Sequence, residues 1–583
     1  MQYFIGLRPA PRLAIPVILG MLFACGDQVA AGNGSLYGSM PVLLAKMVLF
    51  AALFVVVFCL GERLIGFLAE RARLSSASEG EKCGESARTL IRYGPSVRNV
   101  LVNGCVIGIC WLPYVFCLYP GVYWSDTSMQ LLMHYGAKTF TDHHPFFTTL
   151  LFGAMADLGK ALFNNAILGL YILIVVQLVA AVLLFSYMTI FAHGLGLPRR
   201  SCHFLLAFFA LFPLFPVMFS SLAKDTISVL FFIPFSMMYI RAIRTKGKSL
   251  EKAGNIALLL FLTVLTCLTK KPMVYIVAPS LVVLIFTHVS KRAKVASLII
   301  GLTAGALIML VIPKIVLPAL NIEPGGKQES IPFAIQEVAH DVKYNGDTLS
   351  EGDKEVISKF LTIKYNDISG AYSWQLADPV KGTSLKDPSL FGPFIQLWLR
   401  QWINHPMGHI ESFIGLTQGW FSFVTADGGP NYLIVITDSS AYYDPIRKFI
   451  PQWPVEAAHG GAVRSIYSAI QSIPVVNFLF YRSTWASILP CFVLYLLCSN
   501  ENRGNRVQIF FSTLPIAMTC LYLMLVPVST WGGEPTRYVL QSVCTLPLFF
   551  AYVLSVHGAR IPKGVLAANE LDCKKSHPPF SLS

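Results

Sequence analysis

Long apolar segments separated by short polar ones occur along almost the whole chain. One of them, AILGLYILIVVQLVAAVLLFSYMTIFA, exceeds the ~20 residues that a helix needs to cross the hydrocarbon core of a membrane. The pattern predicts an all-α polytopic membrane protein with about twelve transmembrane helices. The predicted spans lie at residues 13–30, 41–60, 99–118, 167–192, 203–219, 226–240, 254–269, 273–290, 296–318, 474–498, 508–528 and 537–556.

One further apolar run, at residues 146–163, is predicted not to cross the membrane. It contains Asp157 and Lys160, and its apolar positions suit a helix that lies along the membrane surface. A crossing at this point would also transfer the basic segments that follow to the opposite side. The run is therefore predicted to be a surface helix.

The spans and the polar stretches between them predict the domain organisation. The only long stretch outside the membrane follows residue 320, and its GG, DP and NGD elements indicate turns. The predicted segments are an N-terminal transmembrane hairpin at 1–60, a cytoplasmic linker at 61–98, a transmembrane core at 99–318 with a first outer loop at 119–166, an extracytoplasmic domain of helix and loop at 319–473, C-terminal transmembrane helices at 474–556 and a cytoplasmic tail at 557–583.

Composition and charge agree with a membrane location. The 583 residues are 55% hydrophobic and 13% charged, and the mean hydropathy is +0.60. If the N-terminus is cytoplasmic, the predicted cytoplasmic segments contain 25 Lys and Arg against 9 Asp and Glu. Because basic residues accumulate on the cytoplasmic side, the net charge of +14 is explained by topology and not by nucleic-acid binding. The prediction is a multi-pass plasma-membrane protein with both termini in the cytoplasm.

The richest polar segment is YPGVYWSDTSMQLLMHYGAKTFTDHHPFFTT, which begins where the span at 99–118 ends. It contains Asp126, Asp142, His143 and His144 among aromatic and hydroxyl side chains. Ionisable groups at a bilayer boundary are costly to desolvate and commonly mark functional sites. Asp126, His143 and His144 are therefore predicted to be catalytic residues.

Other charged residues fall on the same predicted outer side. Basic residues there run against the positive-inside rule, and a phosphate at the outer leaflet would account for them. The extracytoplasmic stretch adds ionisable groups of its own, including Asp341, Asp378 and Lys381. The predicted substrate-binding residues are Lys224, Asp225, Lys270, Lys271, Glu337, His340, Arg537 and Tyr538, and no metal ligands are predicted.

Structural roles compete with each of these functional ones. Asp126 could be the N-cap of a helix over DTSMQLLMHY, and the His143–His144 pair could be ordinary interface residues before Pro145. The Lys224–Asp225 pair could be a simple salt bridge at a helix start. Lys270, Lys271 and Arg537 could each extend to lipid headgroups.

Three segments resemble a known superfamily. They are YPGVYWSDTSMQ with DHHPFFTTLL, then ESIPFAIQEVAHDVKYNG with YSWQLADPVKG, and finally PTRYVL. Together with their order along the chain, they resemble the GT-C-type membrane glycosyltransferases. They are most similar to an uncharacterised bacterial multi-pass family of candidate glycosyltransferases. Two positions depart from the pattern: Asp126 stands alone where a paired acidic motif is common, and His340 replaces an expected Arg.

The resemblance implies a GT-C-like core and an inverting hexosyl or pentosyl transferase. The implied donor is a polyprenyl-phosphate-linked sugar in the membrane lipids, and the implied acceptor is a glycan, lipid or protein of the cell envelope. Asp126 would act as general base or help to hold a divalent cation, Mg²⁺ or Mn²⁺. Lys270, Lys271 and Arg537 would neutralise the departing phosphate.

Three other functions compete with a transferase. A transporter or a flippase of lipid-linked glycans could also have twelve spans, although such proteins commonly place ionisable groups at mid-membrane in two related halves. A polysaccharide polymerase or ligase would use the same class of donor. A non-enzymatic partner in an envelope-assembly complex is the third.

Overall fold

The computed structural model describes residues 11–79, 91–439, 444–498, 511, 513–530 and 532–557. Several predicted cytoplasmic segments therefore lie wholly or partly outside the described residues: the first ten residues, part of the linker at 61–98, the turn at 499–507 and the tail after residue 557. The described part is mostly helical and contains almost no sheet, which agrees with the all-α class.

The first half of the chain forms thirteen α-helices within the described residues. In chain order they are α1 (Pro11–Ala31), α2 (Met40–Glu79), α3 (Val97–Cys117), α4 (Ser125–His134), α5 (Phe146–Phe163), α6 (Ala166–Gly194), α7 (Arg199–Leu211), α8 (Leu214–Phe219), α9 (Lys224–Arg244), α10 (Ala253–Thr269), α11 (Val274–Val283), α12 (Lys291–Ala306) and α13 (Leu317–Ala319). A π-helical segment, Leu307–Val316, joins α12 to α13, and it contains Pro313. Since proline lacks the N–H that an α-helix needs, the change in hydrogen bonding there has a local cause.

The second half forms a series of shorter helices that ends with one long helix. They are α14 (Pro332–Tyr344), α15 (Glu351–Phe360), α16 (Tyr365–Ala371), α17 (Asp378–Lys381), α18 (Phe391–Asn404), α19 (Pro406–Thr417), α20 (Asp444–Arg447), α21 (Gly460–Gln471), α22 (Leu489–Leu497), α23 (Leu514–Met524) and α24 (Glu534–His557). The named strands, β1 (Val122–Tyr123) and β2 (Ser221–Leu222), pair in parallel.

Within the described residues, eight helical stretches are long and apolar enough to cross a membrane. They are Arg12–Ala31, Met40–Phe67, Val97–Cys117, Phe146–Phe163, Ala166–Gly194, Lys224–Arg244, Lys291–Ala319 and Glu534–Leu554. Four shorter apolar helices accompany them: Ala253–Thr269, Lys271–Phe286, Thr484–Leu497 and Leu514–Met524. The polytopic membrane class is therefore supported, while the count of twelve spans remains a prediction.

Two predicted spans are not continuous helices. In the span at 474–498, a 3₁₀ turn at Val476–Phe480 is separated from the helix that follows by Tyr481, which forms a β-bridge with Tyr432. The expectation of a continuous helix at 203–219 is wrong, because α7 ends at Leu211 and α8 begins at Leu214. Pro213 lies at the break, and proline disfavours the helical conformation of the residue before it, here Phe212. The break lets the chain turn into β2, which lies beside β1.

Helix α5 is among the eight candidates by length and composition, yet its neighbours argue against a crossing. The hydroxyl of Ser186 near the end of α6 donates to the carbonyl of Val100 at the start of α3, at 2.7 Å. At the other end, the rings of Tyr171 and Tyr119 lie 5.0 Å apart. Helices α3 and α6 are thus antiparallel neighbours, so α5 alone cannot cross between them.

The same reasoning gives the helical bundle two distinct ends. One end, termed here the site face, carries the end of α3 and the starts of α9 and α24. The opposite face carries the turns after α6, α9 and α11, where the amide of Ser290 donates to the carbonyl of Lys246 at 3.0 Å. The basic segment at 241–252 lies on that opposite face.

A second, smaller core lies in helices α14 to α18, termed here the loop domain. Its buried side chains include Ile335, Val338, Phe360 and Phe394. The domain contacts the turn between α1 and α2, where the indole of Trp374 donates to the side-chain oxygen of Asn33 at 3.3 Å. The loop domain therefore lies on the site face.

Candidate functional site: a cluster of paired charges at the site face

Short β-pairing positions the two ends of the cluster. Val122 pairs with Ser221, so the chain entering α4 lies beside the chain entering α9. The indole of Trp124 donates to the hydroxyl of Ser221 at 2.9 Å, and the hydroxyl of Thr127 donates to the carbonyl of Leu222 at 2.6 Å. These bonds place the first turn of α4 against the first turn of α9.

Asp126 is the residue on which the cluster converges. Its Oδ2 atom lies 2.6 Å from Lys224 Nζ and 2.8 Å from Arg537 Nη1. Nδ1 of His144 is 3.8 Å from the same oxygen and 3.3 Å from Lys224 Nζ. The side chains of Asp126 and Lys224 keep 18% and 16% of their surface exposed, so this layer is reachable from outside.

A second layer lies directly below and is fully buried. Lys270 Nζ is 2.6 Å from Asp225 Oδ1, and Arg537 Nη1 is 3.5 Å from Asp225 Oδ2. Lys270 also donates to the side-chain oxygen of Gln541 at 3.2 Å. Burying charges is costly unless each is paired, so the geometry of this layer is tightly constrained.

Aromatic rings enclose the two cations. The guanidinium carbon of Arg537 lies 4.9 Å from the ring centre of Trp124, and Lys270 Nζ lies 5.2 Å from that of Tyr522 and 5.5 Å from that of Tyr538. Cations near aromatic faces are attracted by the ring quadrupole. The rings therefore hold the cations in place without neutralising them.

The rim of the cluster connects it to the loop domain. Lys271 bonds both the backbone carbonyl and the carboxylate of Asp142, the latter at 3.1 Å. Nδ1 of His143 is 3.8 Å from Glu329, which pairs with Lys381 at 2.8 Å. Glu329 therefore connects the segment before α5 to Lys381 in α17 through charged side chains.

Two predicted site residues lie elsewhere. Among the described residues, Glu337 and His340 contact only side chains of the loop domain and of α19. Glu337 accepts bonds from the indoles of Trp398 and Trp402 at 2.6 and 2.8 Å. His340 Nε2 lies 3.4 Å from Glu411. The expected convergence therefore holds for Asp126, His144, Lys224, Asp225, Lys270, Arg537 and Tyr538, with Lys271 and His143 at the rim.

The charges of the cluster control protonation at its exposed edge. Burial alone would raise the pKa of Asp126, but Arg537 and Lys224 outweigh it and hold that pKa well below its usual range. Burial lowers the pKa of His144 well below its usual range, and Lys224 reinforces this against the attraction of Asp126. Burial also lowers the pKa of His143. At neutral pH, Asp126 is ionised and both histidines are neutral.

The structural alternative for Asp126 is wrong in detail. The N-cap of α4 is Trp124, and Asp126 lies within the first turn of the helix. A carboxylate there also interacts favourably with the helix N-terminus. Its side chain is directed to Lys224 and Arg537, so pairing and not capping accounts for its position.

The donor set does not fit a divalent cation. Among the described residues, no group of three or more His, Cys, Asp or Glu side chains is arranged to hold a metal ion. The positions next to Asp126 are occupied by Lys224 and Arg537, which would repel Mg²⁺ or Mn²⁺. The cations that the site supplies are its own side chains.

Three members of the cluster were not in the predicted set. Glu534 pairs with Arg537 one turn away, Gln541 lies one turn further along the same face, and Asp142 pairs with Lys271. The spacing of Glu534, Arg537 and Gln541 at three and four residues could have revealed the first two. For Asp142, the only indication in the sequence is that it immediately precedes His143 and His144.

Comparison with known proteins adds a family. Residues 131–557 match a family described as of unknown function, DUF6020. The chain belongs to this family. The DUF6020 region includes Lys224, Asp225, Lys270 and Arg537, and it begins five residues after Asp126. No curated protein and no solved structure matches the chain.

The arrangement permits two kinds of chemistry in this DUF6020 protein. Lys224, Lys270 and Arg537 present fixed positive charge at the boundary of an apolar bundle, which suits an anionic group on a lipid. Asp126 presents an ionised carboxylate at the accessible edge, which can accept a proton. Both features lie within one hydrogen-bonded cluster.

Proposed function

We propose that the protein is an integral membrane glycosyltransferase of the GT-C type, which uses a polyprenyl-phosphate-linked sugar at the outer face of the plasma membrane. The observation that carries the proposal is the shared pairing of Asp126 with Lys224 and Arg537. It joins a candidate base to two candidate phosphate-binding cations where the bundle meets the site face.

The transfer step follows from these roles. The bond between the anomeric carbon and the donor phosphate oxygen breaks, and the phosphate leaves with the electron pair. An acceptor hydroxyl forms the new bond to that carbon from the opposite side, which inverts its configuration. The hydroxyl proton passes to Asp126, while Arg537 and Lys224 stabilise the charge on the polyprenyl phosphate.

The low pKa of Asp126 fits this scheme when the donor phosphate is considered. With both cations paired to Asp126, its carboxylate is a weak base. A phosphate that enters competes for Lys224 and Arg537, and its negative charge together with their weaker pairing to Asp126 raises the proton affinity of Asp126. Donor binding would therefore activate the base.

Burial and topology support the donor class. Asp225 and Lys270 lie below the exposed edge and hold Arg537 from the membrane side. A donor whose lipid tail stays in the bilayer can bring its phosphate to the helix ends without leaving the membrane. Basic residues on the opposite face favour a cytoplasmic location for that face, which supports the proposed outer location of the site face.

The test is turnover by purified protein with a panel of polyprenyl-phosphate sugars. We expect release of polyprenyl phosphate, with a rate at least ~100-fold lower in Asp126→Asn, because general-base catalysis typically contributes that much. Asp157→Asn is the matched control, since Asp157 lies in α5 and pairs with His134, outside the cluster. Both variants should keep the wild-type unfolding temperature.

Two results would contradict the proposal. Equal turnover in wild type and a folded Asp126→Asn variant would remove Asp126 from the mechanism. The absence of release with every donor, together with substrate-dependent flux in liposomes, would favour a transporter. A product that contains many added sugars would instead indicate a polymerase.

A further inference from the structure

A cavity of about 710 Å³ lies between the loop domain and the turn that joins α1 to α2. Its volume falls within the ~300–1,000 Å³ that is usual for small-molecule sites. Asn33 and Ser35 of that turn form one wall. His340 and Tyr344 of α14 form another, and the start of α19 closes the third side. It shares no residue with the charge cluster.

The chemistry of the lining is polar and almost uncharged. Among the described residues that line the cavity there is no Lys or Arg, so a phosphate or carboxylate ligand would lack a partner. Glu411 is the one acidic side chain, and both of its oxygens are occupied, by His340 at 3.4 Å and by the amide of Leu36 at 2.7 Å. What remains are amides, hydroxyls and imidazoles.

His340 forms part of the cavity wall through its ring. The side chain is 4% exposed, and its Nδ1 atom has no hydrogen-bond partner among the described residues. That atom has almost no accessible surface and lies against Gly408, so a ligand in the cavity does not reach it directly. His340 therefore shapes the cavity, and the hydrogen bonds to a ligand come from other side chains.

An open aromatic face completes the site. The ring of Tyr344 packs against that of His340, with centres 4.6 Å apart, yet Tyr344 is 59% exposed. Asn345 and Asn404 also line the cavity. The amide of Asn345 already donates one bond to Asp341 at 3.1 Å, which leaves its oxygen and one N–H for a ligand. A sugar ring has hydroxyls around its edge and an apolar face of C–H groups, which matches this combination.

We propose that this cavity is a binding site for a neutral saccharide, separate from the charge cluster. The site binds the saccharide through the side-chain amides of Asn33, Asn345 and Asn404 and through the exposed part of the Tyr344 ring. The assignment does not rest on the proposed transferase function, because it concerns binding alone. The saccharide is either free or the headgroup of a membrane glycolipid, since the exposed apolar side chain of Met407 lines the cavity.

The experiment is calorimetric titration of full-length protein in phosphatidylcholine nanodiscs. Nanodiscs are needed because maltoside and glucoside detergents carry sugar headgroups that would occupy the site. The probes are maltose, cellobiose and N,N′-diacetylchitobiose, followed by nanodiscs that contain monoglucosyl diacylglycerol. We expect at least one probe to bind, with affinity at least ~tenfold weaker in Tyr344→Ala and in Asn345→Ala.

Matched control variants show whether the saccharide binds in this cavity or at another position on the protein. Asn366→Ala removes an exposed asparagine of the loop domain outside the cavity, and its affinity should equal that of wild type. Asp126→Asn should also retain saccharide affinity, whatever its effect on turnover. If the transferase proposal fails, saccharide binding in the cavity is still expected. If saccharide binding fails, the transferase proposal is not affected.

Each outcome has a defined meaning. Binding of a soluble saccharide identifies a free ligand, and binding of the glycolipid alone identifies a lipid headgroup; both support the site. The absence of binding by every probe overturns the proposal. So does affinity that is unchanged in Tyr344→Ala and Asn345→Ala, or binding of inorganic phosphate without any saccharide.

Discussion

At the scale of single residues, the buried pair of Asp225 and Lys270 shows how the protein constrains a charge. Both side chains are almost completely removed from solvent and lie 2.6 Å apart. Removal of one partner from such a pair typically costs about 3–5 kcal/mol, because the other charge is left buried alone. The pair therefore fixes Arg537, which contacts Asp225 and Asp126 together.

His409 provides a second buried charge and a pH-dependent stability. Its Nε2 lies 2.7 Å from Asp341 and its Nδ1 lies 3.2 Å from Glu337. Burial alone would lower the pKa of His409, but the bonds and charges of Asp341 and Glu337 outweigh it and raise the pKa to about 9. The protonated imidazole therefore stabilises the loop domain.

We expect this stabilisation to be lost in alkaline solution. Because the folded-state pKa exceeds the ordinary value of 6.5, the contribution is fully present below pH 6.5 and disappears as the pH rises through about 9. Its size is about 3 kcal/mol, and less to the extent that solvent screens the charges. The measurement is thermal unfolding between pH 6 and pH 10, followed by the fluorescence of Trp398 and Trp402, which contact Glu337.

The control for this prediction is His409→Gln, which cannot be protonated. Its unfolding temperature should vary less with pH than that of wild type over the same range. An identical pH dependence in both proteins would show that other groups are responsible, and the assigned role of His409 would be wrong.

Sequence reasoning located the site residues that carry an exceptional charge. Asp126, Lys224, Lys270 and Arg537 were found because basic and acidic groups beside apolar spans require a partner. Glu337 was placed in the same site only because it is ionisable, and its real partners, including His409, lie 61 or more residues away in the chain. Two residues so far apart in the sequence share no local pattern that would predict their contact.

At the scale of elements, two glycines determine how α5 packs on α6. A methyl group added at Gly169 would lie 1.9 Å from the carbonyl oxygen of Met155 and 2.7 Å from the amide of Gly159. Backbone contact this close requires that neither residue has a side chain. The position of α5 matters for the site, because His143 and His144 immediately precede it.

Gly169→Ala should therefore separate the two helices. We expect a loss of about 1–3 kcal/mol in stability, which is the usual cost of overpacking a tight contact. Gly194→Ala is the matched control in the same helix, because no atom lies within 4 Å of the added methyl group. It should be neutral or slightly stabilising, since alanine favours helix over glycine.

Unfolding temperatures of the two variants in nanodiscs measure this difference. A Gly169→Ala variant as stable as Gly194→Ala would mean that the close approach of α5 and α6 is not maintained in the membrane. A lower temperature for Gly169→Ala, with a parallel loss of activity, would connect the helix contact to the histidines.

The elements themselves were predicted well where the apolar run was long. The spans at 13–30, 41–60 and 167–192 correspond to α1, α2 and α6, which stay continuous even though α1 contains Pro16. The run at 203–219 met every hydropathy criterion and is still broken at Pro213, which local backbone chemistry decides. Hydropathy reports where a segment can be buried, and not whether its helix is continuous.

At the scale of the whole molecule, both candidate sites lie on one face of the bundle. The charge cluster joins the starts of α9 and α24, and the saccharide cavity joins the loop domain to the turn after α1. The α1–α2 hairpin lies outside the DUF6020 match, yet Asn33 and Ser35 complete the cavity. The hairpin therefore forms part of the proposed saccharide site.

This two-faced arrangement gives a sharp prediction about orientation. The basic segment at 241–252 is on the opposite face, so the positive-inside rule places that face in the cytoplasm and the loop domain outside. An epitope tag inserted at the exposed turn of Gly428 should bind its antibody in intact spheroplasts. A tag inserted at Gly247, between α9 and α10, should react only after the membrane is permeabilised.

The pair of tags forms its own control, because both are short insertions at glycines with positive φ, where the chain already turns. The opposite pattern of accessibility would mean that the molecule has the reverse orientation in the membrane. Asp126, Lys224 and Arg537 would then face the cytoplasm. Soluble nucleotide sugars occur there, so an inverted result would end the case for a lipid-linked donor even if the cluster proved essential. Orientation is thus the measurement on which the chemistry of the cluster depends, since the same three side chains would meet a different class of substrate on each side of the membrane.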